Sequence, residues 1–293
     1  MADLTAKDGQ PDGQPDGRAE GNARATDVRA TDVKALRDAT GAGMMDAKRA
    51  LVENGGDMDA AAKWLRERGL GKAAERAGRD NAEGAVAAVV DAPVGAAALV
   101  QLKCETDFVA KSPDFVNLVN EMAELVAAQG EGATDAKKDA IDDLKVTLKE
   151  NIELGDVVRF EAAPGSVLAR YLHEQSGRGT NGVIIEVAGG DEELAHDVAV
   201  HIAFGRPRHL RREDVPSEEV ADERAAIEAQ TRNEGKPEAA MAKIVEGKIN
   251  GWYKRIPGGV LLEQPYARDD KQTVAQVLGD ATVVRFAQVA IGG

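Results

Sequence analysis

The side chains that could carry out chemistry are one cysteine, four histidines and a surplus of carboxylates. Cys104 has no base near it in the sequence, which predicts a buried packing role for its thiol rather than a nucleophilic one. The histidines (His173, His196, His201 and His209) lack metal-site spacing; His196 and His201, five residues apart, would lie on different faces of a helix. Most carboxylates lie at helical spacing beside Lys or Arg, as on solvated faces. We therefore expect no catalytic residues, no metal site, no cofactor and no enzymatic activity.

Nucleotide-binding motifs are also missing from the sequence. No Gly-x-x-x-x-Gly-Lys-Ser/Thr run occurs, so no phosphate loop is predicted. Residues 41–46, Gly-Ala-Gly-Met-Met-Asp, resemble a dinucleotide fingerprint, but they lack its third glycine and follow a predicted helix rather than a strand. Met44 and Met45 in this run either fill the core of a small domain or form an adaptable contact surface. The residues alone favour the core, because so small a domain needs its apolar side chains inside.

Length and charge narrow the class of protein. The 293 residues suggest about two domains. With 37 Lys and Arg against 51 Asp and Glu the net charge is −14, so we expect no direct nucleic-acid binding. The most apolar stretch, residues 85–102, is interrupted by Asp91 and Pro93 and does not predict a membrane span. The first residues lack an apolar signal segment, and a single cysteine is typical of a reducing compartment, so we expect a cytoplasmic protein.

The N-terminal part of the chain predicts a tail and a small helical module. Residues 1–24 repeat Gly-Gln-Pro-Asp-Gly and hold almost no large apolar side chain, which predicts a disordered tail. Residues 25–70 predict three short helices, the last capped by Asp57 and ending at Gly69. This compact module resembles ubiquitin-associated domains. Residues 71–84 then form a connector. The basic residues between Lys63 and Arg79 are interpreted as a solvated connecting helix rather than a nucleic-acid patch.

The rest of the chain contains an internal duplication. Val-Val-Arg-Phe at residues 157–160 recurs at residues 283–286, each time after a predicted helix and with the alternation of a strand. Upstream, each copy has two further predicted strands followed by a helix. We therefore predict an α+β fold, in which residues 85–164 and residues 165–293 each form a small antiparallel sheet covered by helices.

The two copies differ in two insertions. In the second copy, residues 211–252 are highly charged and have a helical pattern, which predicts a protruding antiparallel helical hairpin. In the first copy, an additional loop, residues 105–112, sets Phe108 and Val109 among charged residues. These apolar side chains either fold back onto the core or are held out for a partner. The residues alone leave both explanations open, with the core favoured.

Two long motifs carry a resemblance to a known family. Residues 33–51, Val-Lys-Ala-Leu-Arg-Asp-Ala-Thr-Gly-Ala-Gly-Met-Met-Asp-Ala-Lys-Arg-Ala-Leu, resemble the N-terminal signature of the bacterial translation elongation factor Ts family. Residues 104–111, Cys-Glu-Thr-Asp-Phe-Val-Ala-Lys, resemble its second signature. The duplicated core and the helical hairpin agree with the family in order and spacing, so the resemblance covers residues 26–293.

The resemblance implies a function without covalent chemistry. Members of this family promote guanine-nucleotide exchange on elongation factor Tu, the GTPase that delivers aminoacyl-tRNA to the ribosome. By resemblance, the loop formed by Thr106, Asp107, Phe108 and Val109 inserts near the magnesium and phosphate site of the partner. Met44, Met45 and His173 are implied as further partner contacts.

Two other classes of function compete with this interpretation. A polypeptide-binding adaptor would use the three-helix module and the helical hairpin for contacts. A metal-dependent hydrolase would use the surplus of carboxylates. The adaptor hypothesis predicts that most of the affinity for a partner resides in the N-terminal module. The hydrolase hypothesis predicts an activity that is sensitive to chelators.

Overall fold

The structure, a computed structural model, describes residues 28–292. The predicted tail, residues 1–24, lies outside the described residues. The chain divides into two compact units between Gly69 and Leu70.

The N-terminal unit consists of helices that pack around a small aliphatic core. The helices are α1 (Ala30–Thr40), α2 (Met44–Glu53) and α3 (Met58–Ala74), of which residues 70–74 belong to the second unit. Helix α1 ends at Gly41, whose left-handed backbone (φ 66°) would be strained in other residues. Asp57 caps α3 as predicted, because its carboxylate accepts a hydrogen bond from the Ala60 N–H at 2.9 Å.

The predicted end of the third helix at Gly69 is wrong. Helix α3 continues through Gly69 to Ala74, so the first residues of the predicted connector are helical. Gly69 is absent from the residues with positive φ, which means that it keeps a helical backbone instead of forming a left-handed cap.

The second unit contains two three-stranded antiparallel sheets with the same strand order. In the first sheet, β2 lies between β1 and β3, and in the second sheet β5 lies between β4 and β8. The strands are β1 (Glu83–Asp91), β2 (Ala96–Cys104), β3 (Glu153–Glu161), β4 (Ser166–Gln175), β5 (Arg178–Ala188) and β8 (Thr282–Ala290). The repeated Val-Val-Arg-Phe segments lie in β3 and β8, each of which pairs with the central strand of its sheet. The predicted α+β class and the paired sheets are confirmed.

Helices cover one face of each sheet, and the opposite faces contribute to a shared apolar cluster. The first sheet is covered by a long helix, α5 (Pro113–Gln129), and by α6 (Lys138–Leu148). The second sheet is covered by α7 (Glu192–Gly205) and the short α10 (Val274–Leu278). The shared cluster includes Val86 and Leu99 from the first sheet with Ile184 and Val289 from the second. The two halves of the duplication therefore form one packed unit.

The predicted helical hairpin is present in the second half. It consists of α8 (Ser217–Asn233) and α9 (Glu238–Tyr253), which pack through Ile227, Val245 and Ile249. The short strands β6 (Pro265–Tyr266) and β7 (Asp269–Thr273) follow the hairpin. Within residues 28–292, every helix is too short or too polar to cross a bilayer.

Candidate functional site

The predicted loop after β2 contains a single helical turn. Helix α4 (Asp107–Ala110) begins after Thr106, whose hydroxyl oxygen accepts a hydrogen bond from the Val109 N–H at 3.4 Å. Ser112 closes the turn, because its hydroxyl donates to the Val109 carbonyl oxygen at 2.8 Å. We call residues 106–111 the Phe108 turn.

Glu150 anchors the start of the Phe108 turn. One oxygen of its carboxylate accepts hydrogen bonds from the backbone N–H groups of Glu105 and Thr106, both at 3.1 Å. The other oxygen accepts the hydroxyl of Thr106 at 2.5 Å. An ionised carboxylate that accepts three donors forms a strong, charge-assisted anchor. The turn is thus tied to the segment between α6 and β3 and not only to its own neighbours in the chain.

Glu105 makes the reciprocal contact with the same segment. Its carboxylate accepts the Asn151 N–H at 2.7 Å and lies 3.5 Å from the guanidinium of Arg79. The Asn151 side chain in turn donates to the Arg79 carbonyl oxygen at 3.0 Å. These paired contacts hold the chain in a fixed direction where it enters the turn.

The turn separates the two apolar side chains that the sequence places together. The Phe108 side chain is 84% exposed, which is the highest value among the exposed large apolar residues of the described chain. Val109 packs against the apolar core of the first half, and Ala110 is fully buried there. Neighbouring side chains of a helical turn point about 100° apart, so burying one directs the other outward. Phe108 is therefore held out, and the core explanation is wrong for this ring.

Asp107 forms a bond within the turn. Its carboxylate accepts a hydrogen bond from the Lys111 ammonium at 2.5 Å, at the i, i+4 spacing that brings two helical side chains together. This hydrogen bond, followed by the positive charges of Lys111 and Arg178, holds the pKa of Asp107 below its usual value. The carboxylate is consequently an ionised hydrogen-bond acceptor at neutral pH.

Cys104 lies fully buried beneath the turn, as its sequence context predicts. Its thiol donates to the Thr106 carbonyl oxygen at 3.3 Å. Burial, and next the negative charge of Glu150, raise the pKa of the Cys104 thiol to about 12. The protonated thiol is a packing group and not a nucleophile.

The remaining predicted contact residues are exposed but lie elsewhere. Met44 and Met45, at the start of α2 in the N-terminal unit, are 48% and 71% exposed, whereas other residues form the core of that unit. His173 is exposed near the end of β4, where its Nδ1 lies 3.3 Å from the Tyr171 hydroxyl. The structure therefore joins Thr106 to Val109 in one turn and leaves His173 on the second sheet.

Other chemical groups in the second unit have structural partners. His201 is buried, its Nε2 lies 3.0 Å from the Gln264 side-chain oxygen, and burial lowers its pKa. Within the described part of the chain, the His, Cys, Asp and Glu side chains form no group of three or more that could hold a metal ion.

The sequence pattern did not indicate the role of Glu150, because nothing in the local pattern marks this residue as the anchor of a turn 44 residues earlier.

Comparison with known proteins identifies a family and its members. The family described as Elongation factor TS matches residues 105–293, a range that includes the whole Phe108 turn. Elongation factor Ts of Leifsonia xyli subsp. xyli is 42% identical over 279 residues, covering 90% of this chain and 99% of that protein. Elongation factor Ts of Renibacterium salmoninarum is 44% identical over 277 residues, covering 90% and 98%. That of Acidothermus cellulolyticus is 43% identical over 275 residues, covering 89% and 97%.

Proposed function

Because the chain belongs to the elongation factor Ts family, we propose that it binds GDP-bound elongation factor Tu and promotes the release of GDP, so that GTP can bind. The single observation that carries this mechanism is the exposed phenyl ring of Phe108 on an anchored turn. A large apolar side chain that is fixed in an exposed position can fill a pocket on a partner, as the anchor residues of protein–protein interfaces do. The protein would work in the cytoplasm as an exchange factor without covalent chemistry.

The exchange works by coupling two binding equilibria. GDP in a GTPase is held by a magnesium ion and by backbone N–H groups of the phosphate loop. If insertion of Phe108 favours a conformation of the GTPase that binds GDP poorly, the exchange factor and GDP weaken each other's binding reciprocally. Burying one phenylalanine supplies roughly 1.5–3 kcal/mol, which biases a two-state element but does not empty the site by itself.

The rest of the binding energy would come from a wider interface. Met44 and Met45 offer flexible apolar side chains on the N-terminal unit, and His173 offers a polar contact on the second sheet. Together with the Phe108 turn, these contacts would form an interface larger than about 1,600 Å², the usual size of a specific complex.

The preformed shape of the turn also favours this role. Thr106 caps helix α4 and is anchored by Glu150, and Val109 is packed on the core, so binding would require little ordering of the backbone. Asp107 would accept hydrogen bonds from donors on the partner, either in place of its bond with Lys111 or in addition to it, since an ionised carboxylate accepts several hydrogen bonds.

The test is stopped-flow release of a fluorescent GDP from elongation factor Tu. The parent chain should accelerate release strongly, and Phe108→Ala should lose most of that acceleration at saturating concentration. Phe204→Ala is the matched control, because Phe204 is also an exposed phenylalanine (61%) but has no place in the proposed contact. Equal release by Phe108→Ala and the parent would show that this ring does not drive exchange.

The polypeptide-binding adaptor remains an alternative because Met44 and Met45 are exposed on the small helical unit. It requires a partner that is held equally well whether or not Phe108 is present. The rate of GDP release from elongation factor Tu therefore separates the two functions, because an adaptor would show no saturable acceleration of release at any concentration.

A further inference from the structure

A buried arginine in the second half of the core reaches into the first half. Arg178 is the first residue of β5 and is only 8% exposed. Its guanidinium donates to the Gly84 carbonyl oxygen at 2.5 Å and to the Glu83 carboxylate at 2.7 Å. Both acceptors are at the start of β1, so one side chain links the second sheet to the edge of the first.

The backbone beside Arg178 leaves little freedom to this contact. A Cβ atom on Gly179 would lie 2.2 Å from the Val86 carbonyl oxygen, so the hairpin between β4 and β5 approaches β1 as closely as glycine permits. Arginine is suited to the position because its planar fork binds two acceptors at once, which lysine does not do in the same geometry. The Nε of Arg178 is buried without a hydrogen-bond partner in the described structure, so the two Nη contacts account for the orientation of the fork.

The start of β1 leads directly to the Phe108 turn. Glu83 pairs with Cys104 and Gly84 pairs with Lys103 at the end of β2. Cys104 is followed after one residue by Thr106, and its thiol donates to the Thr106 carbonyl oxygen. The charge of Arg178 also contributes to the lowered pKa of Asp107, after the larger effects of Lys111, so the guanidinium acts electrostatically at the turn.

On the premise of the function proposed above, we propose that Arg178 is a positioning residue for Phe108. It fixes the first residues of β1, and through their pairing with Lys103 and Cys104 it fixes the point from which the Phe108 turn projects. The same β4–β5 hairpin carries His173, which lies on β4, five residues before Arg178 in the chain. The second half of the core therefore sets the place of the ring that the first half presents.

The test is a double-mutant cycle on the stopped-flow release of fluorescent GDP from elongation factor Tu. Arg178→Lys keeps the charge and loses the fork, so maximal acceleration should fall on the order of tenfold, since small misplacements of an acting group cost large factors in rate. In the Phe108→Ala background the same substitution should change the rate by less than about twofold, because the group that it positions is already gone. Equal losses in both backgrounds would overturn the positioning role.

A second measurement needs no partner. Cys104 is the single cysteine of the chain, so thiol labelling of the whole protein reports on the base of the turn alone. Arg178→Lys should accelerate labelling of Cys104 at least about fivefold, because a loosened β1 edge opens the buried thiol more often. Unchanged labelling would overturn the proposal. Faster labelling of Arg178→Lys, together with a rate of GDP release by Phe108→Ala equal to that of the parent, would count against the proposed function instead.

Arg285→Lys is the matched control. Arg285 also links the two halves, because it donates to the Glu161 carbonyl oxygen of the first half as well as to the Glu186 carboxylate of its own sheet, both at 2.7 Å. Its partner Glu186 lies eight residues along β5 from Arg178, about 26 Å away at strand spacing. This control should leave Cys104 labelling and the maximal release rate unchanged. If circular dichroism shows that Arg178→Lys unfolds, Glu83→Gln provides the milder variant, with a smaller change expected in the same direction.

Discussion

Phe108 and Phe115 are only seven residues apart, yet the side chain of Phe108 is 84% exposed and that of Phe115 is completely buried. Phe115 lies on the inner face of α5 within the core of the first half. One phenylalanine therefore contributes to folding, while the other is left available for a partner.

This contrast predicts opposite effects of the same substitution. Phe115→Ala should lower the free energy of unfolding by about 3–5 kcal/mol, because it leaves a cavity in a packed core. Phe108→Ala should change it by less than about 0.5 kcal/mol, as is usual for exposed positions. Urea denaturation followed by circular dichroism measures both values. A large loss of stability in Phe108→Ala would mean that the ring packs against the protein.

Removing the Glu150 anchor should loosen the Phe108 turn. Glu150→Ala leaves the Thr106 hydroxyl and two backbone N–H groups without their acceptor, at a cost of about 1–3 kcal/mol. We expect faster hydrogen exchange at the Thr106 and Val109 amides and a several-fold lower maximal rate of GDP release. Glu121→Ala is the control, because the Glu121 carboxylate accepts a hydrogen bond from the Lys137 ammonium at 2.8 Å and does not contact the turn. Slow exchange of the turn amides in Glu150→Ala would contradict the anchor.

The exposed methionines should affect affinity and not the maximal rate. Replacing Met44 and Met45 together by alanine should raise the concentration needed for half-maximal GDP release about tenfold, which corresponds to 1.4 kcal/mol. The maximal rate should stay unchanged, because the loss of a contact that contributes only binding energy changes the half-maximal concentration and not the maximal rate. A titration of the release rate against exchange-factor concentration separates the two quantities. Val94→Ala, at an exposed turn of the first sheet, is the control.

The buried thiol predicts a loss of stability in alkali. Burial, followed by the charge of Glu150, raises the pKa of Cys104 from 9.0 to about 12. The folded protein thus favours the protonated thiol, so this contribution to stability is complete below pH 9 and is lost as the pH rises from 9 towards 12. Relative to Cys104→Ser, whose hydroxyl does not titrate there, the wild type should lose roughly 1 kcal/mol of unfolding free energy between pH 8 and pH 10. Parallel pH profiles of the two proteins would contradict this linkage.

Local patterns in the sequence determined most of the fold. The repeated Val-Val-Arg-Phe segments alternate as strands do, and they lie in the edge strands β3 and β8 of two similar sheets. The charged helical pattern of residues 211–252 predicted the α8–α9 hairpin in the same way. Such patterns suffice because burial of one face of a helix or strand imposes its own periodicity.

The end of α3 shows where a local signal fails. Gly69 could either adopt a left-handed cap or remain helical, and both conformations are open to glycine. The structure keeps it helical through to Ala74.

The sequence by itself placed Phe108 in a polar segment after β2, but only the tertiary structure decided that its ring points outward. The direction depends on Val109 packing on the core and on Glu150, which binds Thr106 from 44 residues away. It depends also on the edge of β1, where Arg178 binds Gly84 across 94 residues. Contacts over such separations leave no periodic trace in the sequence, because they form only when distant segments of the folded chain meet.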